Sequence, residues 1–203
     1  MKRHPTRGDN LRRALAQEAA RIMAEHGVHD FLIAKRKAAE RLGVVDGAAL
    51  LPKNSEIESA LAEYQRLFGG QSYLSALYAQ RRAALSAMRC LSEFSPRLVG
   101  AVLSGTATEH SEVQLHLFTE RAESVTLKLL DHGIPHEVTE KRVRFDAEQV
   151  RAFPGVRFEI EQQSIEATVF PTDGIRQAPV SPVDGRPMRR ANTVEVEALL
   201  EQP

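Results

Sequence analysis

The chain has 203 residues, is 42% hydrophobic and 5% aromatic with no Trp, and balances 27 Lys and Arg against 27 Asp and Glu. That length and apolar content support a packed core, in one domain with an extension or in two small ones. No apolar run reaches the roughly 18 residues of a membrane-spanning helix, a lone Cys90 excludes an intrachain disulfide and a Cys-based zinc cluster, and so few rings leave little for base stacking.

The N-terminal stretch Met1 to Asp9 is charged and has no apolar signal core, so a cytoplasmic protein is expected. The zero net charge hides an asymmetry. Residues 1 to 100 carry 16 Lys and Arg against 10 Asp and Glu, and residues 101 to 203 carry 11 against 17. A first helix, capped by Asp9 or Asn10, runs to about His26 through Leu11, Leu15, Ala19, Ile22 and Met23 and stops at Gly27. A second follows Asp30 with Phe31, Ala34, Ala38 and Leu42 inward and Gly43 as its stop. Its outer side carries Lys35, Arg36, Lys37 and Arg41, which either contact the phosphates of a nucleic acid or form a solvated face with Glu40.

After a loop from Gly47 to Lys53, Asn54 or Ser55 caps a third helix, with Glu58 completing a capping box. Its inward stripe is Ile57, Leu61, Tyr64, Leu67 and Phe68, and Gly69-Gly70 ends it. A long fourth helix from about Ser72 to Phe94 turns Leu74, Leu77, Leu85, Met88 and Leu91 inward, leaves Arg81, Arg82 and Arg89 outside, and closes at Ser95-Pro96. Cys90 reads as part of its packed face. Residues 1 to 95 are thus expected to form a helical module and residues 96 to 203 an α+β domain with an extended tail.

The apolar run Leu98 to Leu103 reads as a strand, followed by the turn Ser104-Gly105-Thr106 and a second strand from Ser111 to Phe118. Alternation puts Glu112, Gln114, His116 and Phe118 on one face and Val113, Leu115 and Leu117 on the core face. An amphipathic helix spans residues 122 to 132 through Val125, Leu129 and Leu130, and ends at Gly133 before Pro135. Residues 136 to 145 alternate loosely, 147 to 153 read as a short helix, and Pro154-Gly155 as a turn. Two strands, 157 to 161 and 164 to 170, flank Gln162-Gln163 as a hairpin. The Pro-rich segment from Pro171 to Ala191 reads as an extended crossing, with Arg176, Arg186, Arg189 and Arg190 either closing over phosphates or strapping the last helix, 193 to 200, to the body.

No Walker loop, Rossmann fingerprint, His-Glu-x-x-His motif or internal repeat is present. The order turn, strand, later acidic strand resembles the nucleotidyltransferase (polymerase-beta-like) superfamily. Gly105-Thr106 stand where that family has Gly-Ser, Ser111-Glu112-Val113-Gln114-Leu115 where it has Ser-Asp-x-Asp-Leu, and Glu166 where it has its third Asp. The resemblance implies an α+β fold, an N-terminal helical module followed by a nucleotidyltransferase-like mixed sheet with flanking helices. It implies metal ligation by Glu112 and Glu166, with Gln114 ligating weakly or positioning the nucleophile. Ser104, Gly105, Thr106 and Ser111 would bind nucleotide, and Mg²⁺ or Mn²⁺ would be the cofactor of an active enzyme. Apart from the resemblance, the basic side chains Lys35, Arg36, Lys37, Arg189 and Arg190 are the candidate contacts to phosphates or nucleic acid.

The departures bear on chemistry. Two Mg²⁺ ions held by carboxylates stabilise the attacking and leaving oxygens, and Gln114 removes one of those charges. Glu112 reaches a methylene further than Asp. His116 shares its face, and His with Glu suits a softer ion such as Zn²⁺ or Mn²⁺. The expectation is an eroded metal site, with nucleotide, nucleic-acid or protein-partner binding retained and catalysis reduced or lost. The alternatives are an active metal-dependent nucleotidyltransferase acting on a small molecule, RNA or protein hydroxyl, and a structural helical interaction protein using residues 29 to 94.

Overall fold

The computed structural model describes residues 6–44, 50–146 and 149–201. The first residues of the expected N-terminal stretch, and much of the loop expected from Gly47, lie outside them. The chain folds as two compact units. The first takes residues 1–74 with 108–111 and 182–184, and the second takes 75–107, 112–181 and 185–203. The division falls inside the long helix, between Leu74 and Ser75, whereas the sequence places the end of the helical module at residue 95.

In the first unit α1 (Arg7–His26) begins earlier than the sequence implies, because Thr6 and Asp9 form the capping box. The Thr6 hydroxyl accepts from the Asp9 N–H at 3.2 Å, and the Asp9 carboxylate accepts from the Thr6 N–H at 3.1 Å. Gly27 ends it at φ 62°. Asp30 caps α2 (Phe31–Arg41) by accepting from the N–H groups of Leu32 and Ile33. Lys53 is the N-cap of α3 (Asn54–Tyr64), and Glu56, not Glu58, reaches back to the Lys53 N–H at 2.7 Å. The core is one cluster of Leu15, Ala19, Ile22 and Met23 from α1, Ala34 and Ala38 from α2, and Ile57 and Leu61 from α3.

The α3 stripe does not continue as expected. Residues Gln65–Gly69 form a π-helical turn, whose extra residue rotates the following side chains out of the α-helical register. Gln65 is buried in consequence, while Leu67 and Phe68 are 58% and 70% exposed. As expected, the run ends at Gly69-Gly70: Gly70 takes φ 53° and ψ −151°, outside the helical region, and the next helix, α4 (Gly70–Cys90), follows directly. Leu77, Leu85 and Met88 of α4 are buried, but Leu74 is exposed.

The second unit is built on a five-stranded mixed sheet, ordered β1-β2-β5-β4-β3. Its strands are β1 (Arg97–Val99), β2 (Val113–Phe118), β3 (His136–Arg144), β4 (Val150–Ile160) and β5 (Gln163–Phe170). The β2–β5 pair is parallel and the other three are antiparallel. The expected strand from Leu98 to Leu103 stops at Val99. There Gly100, at φ 73°, turns the chain into a short helix, α5 (Gly100–Ser104).

The segment read as a helix over 147 to 153 and a turn at Pro154-Gly155 is strand β4 from Val150 onward; residues 147 and 148 lie outside the described residues. Pro154 pairs with Glu140 of β3 but lies outside the β4–β5 register, which begins one residue later, at Gly155. The β4–β5 turn is Glu161-Gln162, one residue before the expected Gln162-Gln163. Both residues take positive φ, 50° and 63°, as a two-residue hairpin of matching twist requires. Arg82 and Ser86 hold the Glu161 carboxylate at 2.7 Å each.

One face of the sheet is apolar and closed to solvent: Leu98, Val113, Leu115, Leu117, Ile165, Ala167, Val169, Val156 and Phe158 are all 0–4% exposed. Beside the sheet, α6 (Glu123–Asp131) buries Val125 and Leu129, but Leu130 is 61% exposed. The tail makes a 3-10 turn at Thr172–Ile175, a bridge from Val180 to Pro187 and a bridge from Ala191 to Leu98, then enters α7 (Thr193–Glu201). Asn192 and Glu195 cap α7 reciprocally. Among the described residues no helix is long and apolar enough to cross a membrane.

Candidate functional site

The opposite face of the same strands carries the predicted acidic residues. The parallel register sets Gln114 of β2 beside Glu166 of β5, and the antiparallel registers continue that row to Arg157 on β4 and Glu137 on β3. Glu112 precedes β2, and its carboxylate accepts a hydrogen bond from the Ser164 hydroxyl at the foot of β5, 3.2 Å away. Glu112, Gln114 and Glu166 are therefore brought onto adjacent strands at one end of the sheet.

Two basic side chains that the sequence does not single out dominate the row. Lys141 of β3 donates to Glu166 Oε2 at 2.5 Å. Arg157 reaches Glu112 with Nε at 3.2 Å and Glu166 with Nη2 at 3.8 Å, and lies 3.9 Å from Glu137. The Glu166 side chain is 10% exposed, so an unpaired carboxylate there would be costly. Gly155 of β4 pairs with Thr139 and Thr168 on the same face, and a Cβ there would meet the Thr139 hydroxyl at 2.7 Å and crowd this part of the sheet. The cross-strand pairings depend on the β3–β4–β5 register, of which the loose alternation of residues 136 to 145 gives no sign.

Gln114 is turned elsewhere. A Cβ built on Gly100 would fall 2.5 Å from Gln114 Oε1, so the carboxamide packs against the residue that opens α5 and needs that residue to be glycine. The expected phosphate cradle is also committed: the N–H groups of Gly105 and Thr106 both donate to the Ala101 carbonyl, closing α5. The Ser104 and Thr106 hydroxyls bond each other at 2.9 Å. Ser111 groups with the first unit, where its hydroxyl accepts from the Thr108 N–H at 2.9 Å.

Two residues along the strands the character of this face changes. His116, Phe118, Thr168 and Phe170 are buried, and Arg190 from the tail lies over the Phe118 and Phe170 rings at 5.0 and 5.5 Å. Arg190 donates Nε to His116 Nδ1 at 3.1 Å and Nη1 to the carbonyls of Gly174 and Ile175. Burial, reinforced by the nearby Arg97 charge, lowers the Arg190 pKa to about 10. His116 is pushed down to about 3, first by burial and then by the Arg190 and Lys141 charges, so it is neutral with Nδ1 as acceptor. Arg190 thus fastens the tail to the sheet, whereas Arg189 is exposed.

On α2, Arg36 and Lys37 are exposed and Lys35 is half-buried, its pKa lowered by burial against an opposing pull from Glu56. Arg41 is paired with Glu18 at 3.0 Å. A cleft of about 600 Å³ in the helical unit is lined by Arg12, Arg13, Gln17, Glu56 and Glu63, with Arg12 tied to Asp9 and Glu56.

The residues present do not fit the metal set that the resemblance implies. Glu112 and Glu166 are held by fixed cations, Gln114 is neutral and turned to Gly100, and His116 is engaged by Arg190. Among the described residues no group of three or more His, Cys, Asp or Glu is arranged to hold a metal ion.

No protein-family model and no curated protein sequence matches the chain. Among solved structures, the chain is similar to Cid1 in complex with the UTP analogue UMPNPP, at 18% identity and a TM-score of 0.36. That alignment takes in 56% of this chain and 37% of the Cid1 chain, little more than a third of its length.

Proposed function

We propose that this is a binding protein built on a nucleotidyltransferase-like sheet in which nucleotidyl transfer is reduced or lost. The observation that carries this reading is the pairing of Glu166 with Lys141 and of Glu112 with Arg157, at the positions where the resembling family would hold divalent ions. An ion would have to displace a lysine 2.5 Å from its carboxylate. With Gln114 in place of a second Asp, it would then find one charge fewer. The ligand of the protein is a nucleic acid or a protein partner, with Lys35, Arg36 and Lys37 as the candidate phosphate contacts.

Isothermal titration with the four ribonucleoside triphosphates, each with Mg²⁺, with Mn²⁺ and with EDTA, tests the loss of transfer chemistry. The expected result is no metal-dependent binding. Metal-dependent binding that Glu112→Ala removes would sink the reading and restore the active enzyme, in which Glu112 and Glu166 hold the ion and Gln114 positions the nucleophile. That second reading is favoured by one observation, the side-by-side register of Gln114 and Glu166 on parallel strands. Reversing Lys35, Arg36 and Lys37 to Glu should weaken RNA binding and flatten its salt dependence. An unchanged salt slope would make that cluster a solvated face and turn the search to protein partners of the helical segment.

A further inference from the structure

We infer that Lys141 and Arg157 supply, as fixed side-chain charges, the positive charge that divalent ions would bring to Glu112 and Glu166, and that the fold is in this way independent of divalent ions. The inference rests on the reading of Glu112, Gln114 and Glu166 as the counterparts of the family's acidic set.

The charges balance locally. Glu112 and Glu166 contribute two negative charges, and Lys141 and Arg157 contribute two positive ones within 3.2 Å of a carboxylate oxygen. Glu137, largely exposed and 3.9 Å from Arg157, lies at the edge of the set. The cations come from different strands, Lys141 from β3 and Arg157 from β4, and both reach carboxylates belonging to the β2–β5 seam. Among the described residues Arg157 is the one cation within 4 Å of both acids, and its planar guanidinium holds two acceptors in fixed directions. Lys141 brings a point charge to the more buried acid. Carboxylates crowded on one face destabilise a sheet unless they are compensated. Here the compensation is covalently part of the chain, and it leaves the two seam carboxylates, Glu112 and Glu166, each with a cation against it.

Thermal unfolding of the full chain with EDTA and with millimolar Mn²⁺ tests this. For the wild type the two melting temperatures should coincide. Lys141→Met should lower Tm by roughly 2–4 °C in EDTA, as expected for about 1 kcal/mol in a chain of this size. Mn²⁺ should restore part of that loss, because an ion that binds the folded state alone stabilises it. Adding Glu166→Gln to Lys141→Met should abolish the Mn²⁺ effect. If Lys141→Met does not fold, Arg157→Gln, at a side chain 43% exposed, gives the same comparison. A wild type stabilised by Mn²⁺, or folded variants indifferent to it, would overturn the inference. Failure of the proposed function is read separately, in triphosphate titration of the wild type.

Discussion

Two rows of side chains on one face of the sheet, two residues apart, solve the same problem in opposite ways. At the charged end Glu166 is buried, and Lys141 and Arg157 compensate its carboxylate. At the aromatic end His116 is buried beside a cation, and its proton is withheld instead. Each end contains an arginine, but Arg157 faces acids whereas Arg190 faces rings and carbonyl oxygens. A buried titratable group must be paired or neutral, and the neighbouring row decides which.

The largest effect should come from the aromatic end. Phe170 is 1% exposed and meets His116, Phe118 and Phe153 at ring distances of 4.6–6.0 Å. Phe170→Ala should cost about 3–5 kcal/mol in urea unfolding; a loss below about 1 kcal/mol would mean that the end is loosely packed.

Next in size is a pH effect that belongs to the aromatic end. The His116 pKa of about 3 lies below its ordinary 6.5, so as pH falls the unfolded chain takes up the proton first. The stability that His116 contributes above pH 6.5 is therefore lost progressively as pH falls towards about 3, by roughly 2 kcal/mol at pH 5. In His116→Gln the slope between pH 6.5 and 5 should flatten, and an unchanged slope would place its origin at another group.

The smallest effect is a gain. Gln162 holds φ 63° at an exposed turn, so Gln162→Gly should stabilise the β4–β5 hairpin by roughly 0.5–1 kcal/mol. It should leave the His116 pH slope unaltered. A destabilised variant would show that the Gln162 side chain contributes more than its backbone strain costs.

The sequence was most legible where spacing alone decides structure. Leu15, Ala19 and Ile22 mark α1, Gly27 and Gly133 mark helix ends, and Val113, Leu115 and Leu117 mark the buried side of β2. It misled where local preference and context conflict. Leu98 to Leu103 is apolar enough for a strand, but Gly100 turns it into α5. Leu67 and Phe68 continue a helical stripe, but a π-turn carries them to the surface. That Glu112 and Glu166 fall at neighbouring strands follows from motif order, whereas the approach of Lys141 and Arg157 to them does not. Opposite charges 25 residues apart acquire meaning only through the strand order, and Arg190, expected either over phosphates or in a strap, is drawn in by rings that the sequence does not show to be near it.

The strand order also sets a sequence of events in time. The β3–β4–β5 meander forms from neighbouring segments, and β1 with β2 is likewise close in the chain, but β2 and β5 meet across about fifty residues. Loop closure makes such a parallel seam slow to form, so the two local sheets should arise first and then dock along β2 and β5. Glu112 and Glu166 sit on either side of that seam, and Arg157, already beside Glu166 in the β4–β5 hairpin, reaches Glu112 only after docking. Loss of the Arg157–Glu112 contact, as in Glu112→Gln, should then quicken unfolding and leave the refolding rate nearly unchanged in stopped-flow kinetics, the signature of a contact made after the barrier.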